Sequence, residues 1–145
     1  MKATFFGHRD APSSVYEDLV AIITDLVEKQ KVTRFYVGDK GGFDYMAQQA
    51  LRTLSQTYPQ IRYAVVLAYL PFDKSADPWL DERDPTLFPE GMENVPPRYA
   101  IEKRNRFMVE QSDIVVTYVK RSHGGAAKFK ALALRKGKTV IELAE

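Results

Sequence analysis

Apolar positions along the chain recur with two spacings, and the alternation between them predicts the elements. Lys2 to Phe6 is a short apolar run that reads as a first strand, ended abruptly by Gly7-His8-Arg9. Pro12-Ser13-Ser14 follows, and Ser14 with Glu17 has the spacing of a capping box. Beyond it Val15, Leu19, Ile22, Ile23, Leu26 and Val27 share one stripe at helical period. Thr33 to Val37 predicts a second strand, closed by Gly38-Asp39-Lys40-Gly41-Gly42. Met46, Ala47, Ala50, Leu51 and Leu54 predict a second helix with Asp44 near its first turn, and residues 61–70 a third strand.

Between Pro71 and Pro97 the periodicity disappears. Six prolines (Pro71, Pro78, Pro85, Pro89, Pro96 and Pro97) exclude a continuous helix or an inner strand there. Phe72, Trp79, Leu80, Leu87 and Phe88 argue against plain disorder, so this stretch is expected to be a lid, an insert or a partner surface. A helix from about Arg98 to Gln111 comes next. Asp113 to Val119 is then a near-continuous apolar run, the signature of a strand covered on both faces. A fourth helix turns Phe129, Leu132 and Ala133 inward and stops at Gly137, and Thr139 to Leu143 forms the last strand.

Strands alternating with helices predict one α/β domain over residues 1–145, a Rossmann-like three-layer sandwich. Its mainly parallel sheet is expected to have five strands in the order 3-2-1-4-5. That order brings three glycine turns to the carboxyl edge of the sheet, where ligands bind in such folds: Gly7-His8-Arg9, Gly38 to Gly42, and His123-Gly124-Gly125. The last leads into a helix starting near Ala126, where free N–H groups and the helix dipole favour an anion. Each glycine also has a reading in which it serves the turn alone.

One helix carries an odd stripe. Ile101 and Met108 lie on an apolar face with Arg104 and Asn105 between them, and a buried guanidinium needs partners. Arg104 therefore contacts a ligand or forms a buried ion pair with Asp113 or another carboxylate. Asp44 either contacts a ribose or base or is only a helix-start carboxylate. His8, Arg9 and His123 have both a ligand-contact and a plain surface or structural reading.

Composition narrows the chemistry. With 145 residues and no cysteine, the chain can bury a core without staples, and thiol catalysis, cysteine-bound zinc and disulfides are excluded. The two histidines have no metal-ligand spacing, so neither a metal nor a cofactor is expected. No apolar run reaches membrane-spanning length and the start lacks a signal-peptide layout, so no membrane partner and a cytoplasmic location are expected. Net charge is +2, too small by itself to name nucleic acid, although 98–106 and 120–138 are basic and 73–93 acidic.

The run Arg104-Asn-Arg-Phe-Met108, then Ser112-Asp113, an apolar strand and Gly124-Gly125 resembles the signature of the SLOG superfamily, the Smf/DprA and LOG group. Gly38, Gly42, Asp44 and Ala47 are similar to the Gly-x-x-x-Gly-x-Asp-x-x-Ala turn of its YpsA-like and DprA-like members, and the likeness spans nearly everything outside 71–97. The resemblance implies a Rossmann-like domain that binds nucleotides or their derivatives. In the LOG branch it implies hydrolysis of the N-glycosidic bond of nucleoside monophosphates. Here Ala131 stands at the LOG glutamate, while His123, Ala127 and Lys128 replace its proline, glycine and threonine. A nucleotide-derivative sensor of the YpsA-like kind is therefore the leading expectation, with Gly7, His8, Arg9, Gly38, Gly42, Asp44, Arg104, Asn105, His123, Gly124, Gly125 and Ala126 as binding residues. The alternative is a glycosidic hydrolase or transferase with Arg104, Asp44 and Glu102 as catalytic candidates. Single-stranded DNA binding of the DprA kind is placed last and nucleic acid is held an improbable partner, while a homodimer is an expectation from the resemblance.

Overall fold

The computed structural model describes residues 1–70 and 83–144. Its elements are β1 (Lys2–Gly7), α1 (Val15–Glu28), β2 (Arg34–Val37), α2 (Gly42–Thr57), β3 (Arg62–Val66), β4 (Thr86–Leu87), a 3-10 turn (Met92–Asn94), α3 (Pro97–Gln111), β5 (Ile114–Tyr118), α4 (Gly125–Arg135) and β6 (Thr139–Glu142). All six strands are parallel, in the order β4-β3-β2-β1-β5-β6. The fold is Rossmann-like.

The expected five-stranded sheet in the order 3-2-1-4-5 needs correction at one edge. The five anticipated strands keep that relative order, but Thr86–Leu87 adds a sixth beside β3. Two residues are too few to show a period. Pro85 fits here because it only accepts: its carbonyl takes the Val65 N–H at 2.8 Å, and the Leu87 carbonyl takes the Leu67 N–H at 2.8 Å. Asp84 pins the segment from beneath, buried and accepting Arg52 in a two-pronged pair at 2.9 and 2.8 Å and the Tyr63 hydroxyl at 2.8 Å. Within the expected lid or insert, residues 84–87 thus join the sheet edge, and Met92–Asn94 forms the 3-10 turn before α3. Phe72, Trp79 and Leu80 lie outside the described residues.

Strand residues alternate between two cores, which is why the strands read as unbroken apolar runs. Phe5, Phe35, Val65 and Val116 face α1 and α2, packing on Leu19, Ile23 and Leu51. Phe6, Tyr36, Val66 and Val115 face α3 and α4, packing on Met108, Val109, Phe129 and Leu132. The anticipated capping box at Ser14 does not form, since Ser14 is already helical (φ −62°, ψ −20°) and its side chain caps nothing. Pro12 and Ser13 carbonyls take the Val15 and Tyr16 N–H groups instead, at 3.0 and 3.1 Å.

Candidate functional site

Each helix follows a strand and runs back against it, so all helix N-termini meet at the carboxyl edge with the glycine turns. Gly7 owes its identity to packing: a Cβ there would lie 2.2 Å from the buried Phe43 ring. Gly38 is likewise crowded, with Asp44 Oδ2 2.5 Å from where a Cβ would be. Gly41 and Gly124, the residues before α2 and α4, share one conformation open only to glycine, φ 95° and 96° with ψ 176° and 177°. Their surroundings differ. The α2 start is filled, since Gly42 N–H donates to the Arg9 carbonyl at 2.8 Å. The α4 start is open by comparison: among the described residues, none outside the turn and its own helix comes within 4 Å of a Cβ built on Gly124 or Gly125. The first intrahelical bond there is Lys128 N–H to Gly124 O at 3.0 Å, which leaves the Gly125, Ala126 and Ala127 N–H groups without helical acceptors.

Arg104 is buried, at 1% exposure, and held by protein groups. Its Nη1 donates to Asp39 Oδ1 at 2.8 Å and to the Val66 carbonyl at 2.7 Å, and its Nε to Asn105 Oδ1 at 2.7 Å. The carboxylate partner is Asp39, not Asp113, which is exposed and accepts the Lys2 N–H at 2.9 Å. The buried stripe of α3 is Ala100, Arg104 and Met108 at four-residue steps, and Ile101 is 39% exposed. Asp44 joins the same buried group, accepting the Lys40 N–H at 3.0 Å, while Gln48 donates to the Gly38 carbonyl at 2.7 Å. Burial pushes the Asp44 pKa up to about 6, against the pull of Arg104. This cluster ties the β2–α2 turn to the ends of β3 and α3. Arg104, Asn105, Gly38 and Asp44 are thereby brought together beneath the edge.

The other predicted residues gather around β1 and β5, whose ends pair Gly7 with Tyr118. His8 is nearly buried, and its Nε2 accepts two backbone N–H groups, from Lys120 at 2.9 Å and Arg121 at 3.2 Å. The ring is therefore neutral, with its proton on Nδ1. Burial, seconded by the Arg121 cation, holds its pKa below the ordinary histidine value. Arg121 in turn grips Asp10 at 2.6 and 3.2 Å. His8 and Asp10 thus fasten the loop that delivers His123, Gly124 and Gly125 to the surface, with Ala126 half-buried behind them. Glu102 accepts from Lys128 at 2.9 Å, and this pairing holds its carboxyl below the usual range.

Reading the sequence singled out Arg9 and the basic stretch 120–138, but not the individual cations around the α4 turn. Lys120, Arg121 and Lys128 are all exposed around it, and Arg9 is exposed at the neighbouring turn. The signal was present as the basic stretch 120–138, which has the appearance of an ordinary solvated face until the loop is folded back to His8.

A Rossmann-like sheet with an open glycine turn at its carboxyl edge is thus what fold and site define. Among solved structures, DNA processing protein A (DprA) from Streptococcus pneumoniae shares this fold with a TM-score of 0.71 at 16% identity, over 97% of this chain and 49% of that one. DNA processing protein A from Helicobacter pylori, a structure described by its unique single-stranded DNA binding mode, gives a TM-score of 0.66 at 15% identity over 98% and 64% of the two chains. The chain therefore spans only about half to two-thirds of the length of these neighbours. No protein-family model and no curated protein sequence matches it.

These neighbours correct the ranking made from sequence. They belong to the Smf/DprA branch of the resembled group, and special nearness to YpsA-like members forms no part of the likeness. The nucleotide-derivative sensor and the LOG-like hydrolase both give way, because the fold's neighbours are DprA proteins, one described by its binding of single-stranded DNA. The small-molecule partner gives way with them, as does the view of nucleic acid as an improbable one. Among the described residues, no helix is long and apolar enough to cross a membrane.

Proposed function

We propose that this chain binds single-stranded nucleic acid at the carboxyl edge of its sheet. A backbone phosphate rests on the N–H groups of Gly125 and Ala126, and exposed Lys120, Arg121 and Lys128 supply the surrounding positive field. The observation that carries the reading is the contrast between two helix starts of identical glycine geometry. The one before α2 is filled by the Arg9 carbonyl, and at the one before α4 no described residue outside the turn and its helix comes within 4 Å of a Cβ built on Gly124 or Gly125. The likeness to a DprA structure described by its single-stranded DNA binding supports the choice of ligand. The small net charge of +2 does not oppose it, because affinity follows local potential rather than the total.

The experiment is fluorescence anisotropy of a labelled oligodeoxythymidylate with wild type and Gly125→Asp. Gly125 has no positive φ and ample room for a side chain, so the variant folds. Its carboxylate occupies the phosphate position. Affinity should fall at least about tenfold, about 1.4 kcal/mol. Equal affinity of the two proteins, with unchanged circular dichroism, would remove the α4 turn from the interface.

A further inference from the structure

We infer that Tyr99, seconded by Tyr69, is a stacking platform for unpaired nucleobases beside the phosphate turn. This inference rests on the nucleic-acid reading above and adds which part of the ligand is recognised. Tyr99 lies in the first turn of α3, and half of its surface faces solvent, 50%. A single exposed tyrosine is ordinary on a protein surface. Four further observations set this one apart.

The Arg98 guanidinium lies over the Tyr99 ring, 4.9 Å from its centroid. Tyr69, in the bend that follows β3, donates its hydroxyl to the Pro97 carbonyl at 2.8 Å, which brings the second ring to the same helix start. Lys40 of the β2–α2 turn lies over that ring, 5.5 Å from its centroid. Finally, Tyr99 and Glu102 are three residues apart and share one face of α3, and Glu102 is held by Lys128 from the first turn of α4 at 2.9 Å. The Tyr99 face of α3 is thus linked through the Glu102–Lys128 pair to the first turn of α4, the helix that the glycine turn opens.

Rings interleaved with cations, next to a backbone anion site, are what a single strand requires. Phosphates are drawn by the charges, while each base has a face that stacks on an aromatic ring whatever its identity. In the unbound protein the Arg98 guanidinium covers the ring face that a base would take. On binding, the base displaces it and the freed cation moves to the adjoining phosphate. A paired duplex keeps its bases stacked inside and cannot use this surface, so the platform selects single strands with little preference for sequence.

The test compares an oligodeoxythymidylate with an abasic strand of equal length, using wild type, Tyr99→Ala and Tyr99→Phe. Tyr99→Ala should weaken binding of the oligodeoxythymidylate about tenfold, the loss of one stacked base. Tyr99→Phe should bind as wild type does. The salt dependence of all three should be the same, because no charge has changed. On the abasic strand, wild type and Tyr99→Ala should be equal. If wild type binds the abasic strand as tightly as the oligodeoxythymidylate, phosphate binding stands and the platform is overturned. Undiminished affinity of Tyr99→Ala for the oligodeoxythymidylate overturns it as well. Failure of wild type to bind either strand at low salt removes the nucleic-acid reading and the platform together.

Discussion

Asp44 and His8 are two buried titratable residues whose pKa values move in directions that give opposite pH signatures. Asp44, raised to about 6 by burial, is protonated in the folded chain at a pH where the unfolded chain is already ionised. Its stabilising contribution is complete below about pH 3.9 and is lost as pH rises through about 6. Asp44→Asn should flatten this slope: the urea midpoint difference between variant and wild type should grow from pH 4 to pH 7, since any offset from the amide itself is independent of pH. His8 has the reverse sign. The unfolded chain protonates near pH 6.5 while the folded ring resists, so stability present above that value falls as pH drops below it. A protonated Nε2 cannot accept, so amide exchange of Lys120 and Arg121 should quicken between pH 7 and pH 5 beyond its intrinsic change. Exchange that follows only the intrinsic rate would mean that His8 does not hold the loop.

At the scale of elements, the short β4 depends on side chains more than on its ladder. Only two residues pair with β3, and the Asp84 carboxylate does the anchoring through Arg52 of α2 and Tyr63 of β3. Desolvation and the neighbouring Asp84 carboxylate both raise the Tyr63 pKa, so its hydroxyl remains the donor throughout the physiological range. Asp84→Ala leaves partly buried donors without this acceptor and should cost about 2 kcal/mol, while Tyr63→Phe should cost about 1 kcal/mol. Equilibrium urea unfolding measures both. A loss below a few tenths of a kcal/mol for Asp84→Ala would show that the ladder holds the edge unaided.

For the whole molecule, charge is partitioned rather than large. Several cations at the carboxyl edge already carry carboxylates: Arg121 holds Asp10 and Lys128 holds Glu102. A phosphate bound at the proposed site would compete with these pairs, so single-strand affinity should depend on salt with a slope of about −0.7 per phosphate contacted. Lys120→Ala should reduce the magnitude of the slope by roughly 0.7, whereas Asp10→Ala should strengthen binding by releasing Arg121. A titration from low to moderate salt reads both, and a wild-type affinity indifferent to salt would contradict the phosphate site.

The four helices, five of the strands and their relative order were legible in the sequence, because each is a local period written in burial: Leu19 and Ile23 at helical spacing, or Phe5 and Phe6 facing opposite cores. The glycine turns were legible as well, since only glycine adopts the backbone that Gly41 and Gly124 share. Their meaning was not. Whether such a turn is filled depends on what lies across it, the Arg9 carbonyl at one and no described residue near the glycine Cβ positions at the other, and no local pattern encodes a distance between segments. The same limit placed Arg104 on a core-facing stripe without naming Asp39, 65 residues away, as its partner. It also hid β4, a strand too short to have a period and held by Asp84 from below. Sequence determined which groups reach the carboxyl edge, because periodicity and backbone preference act within a few residues. Tertiary structure alone decided which of them are tied to one another and which face outward, because hydrogen bonds and ion pairs are made wherever folding brings donor and acceptor within about 3 Å.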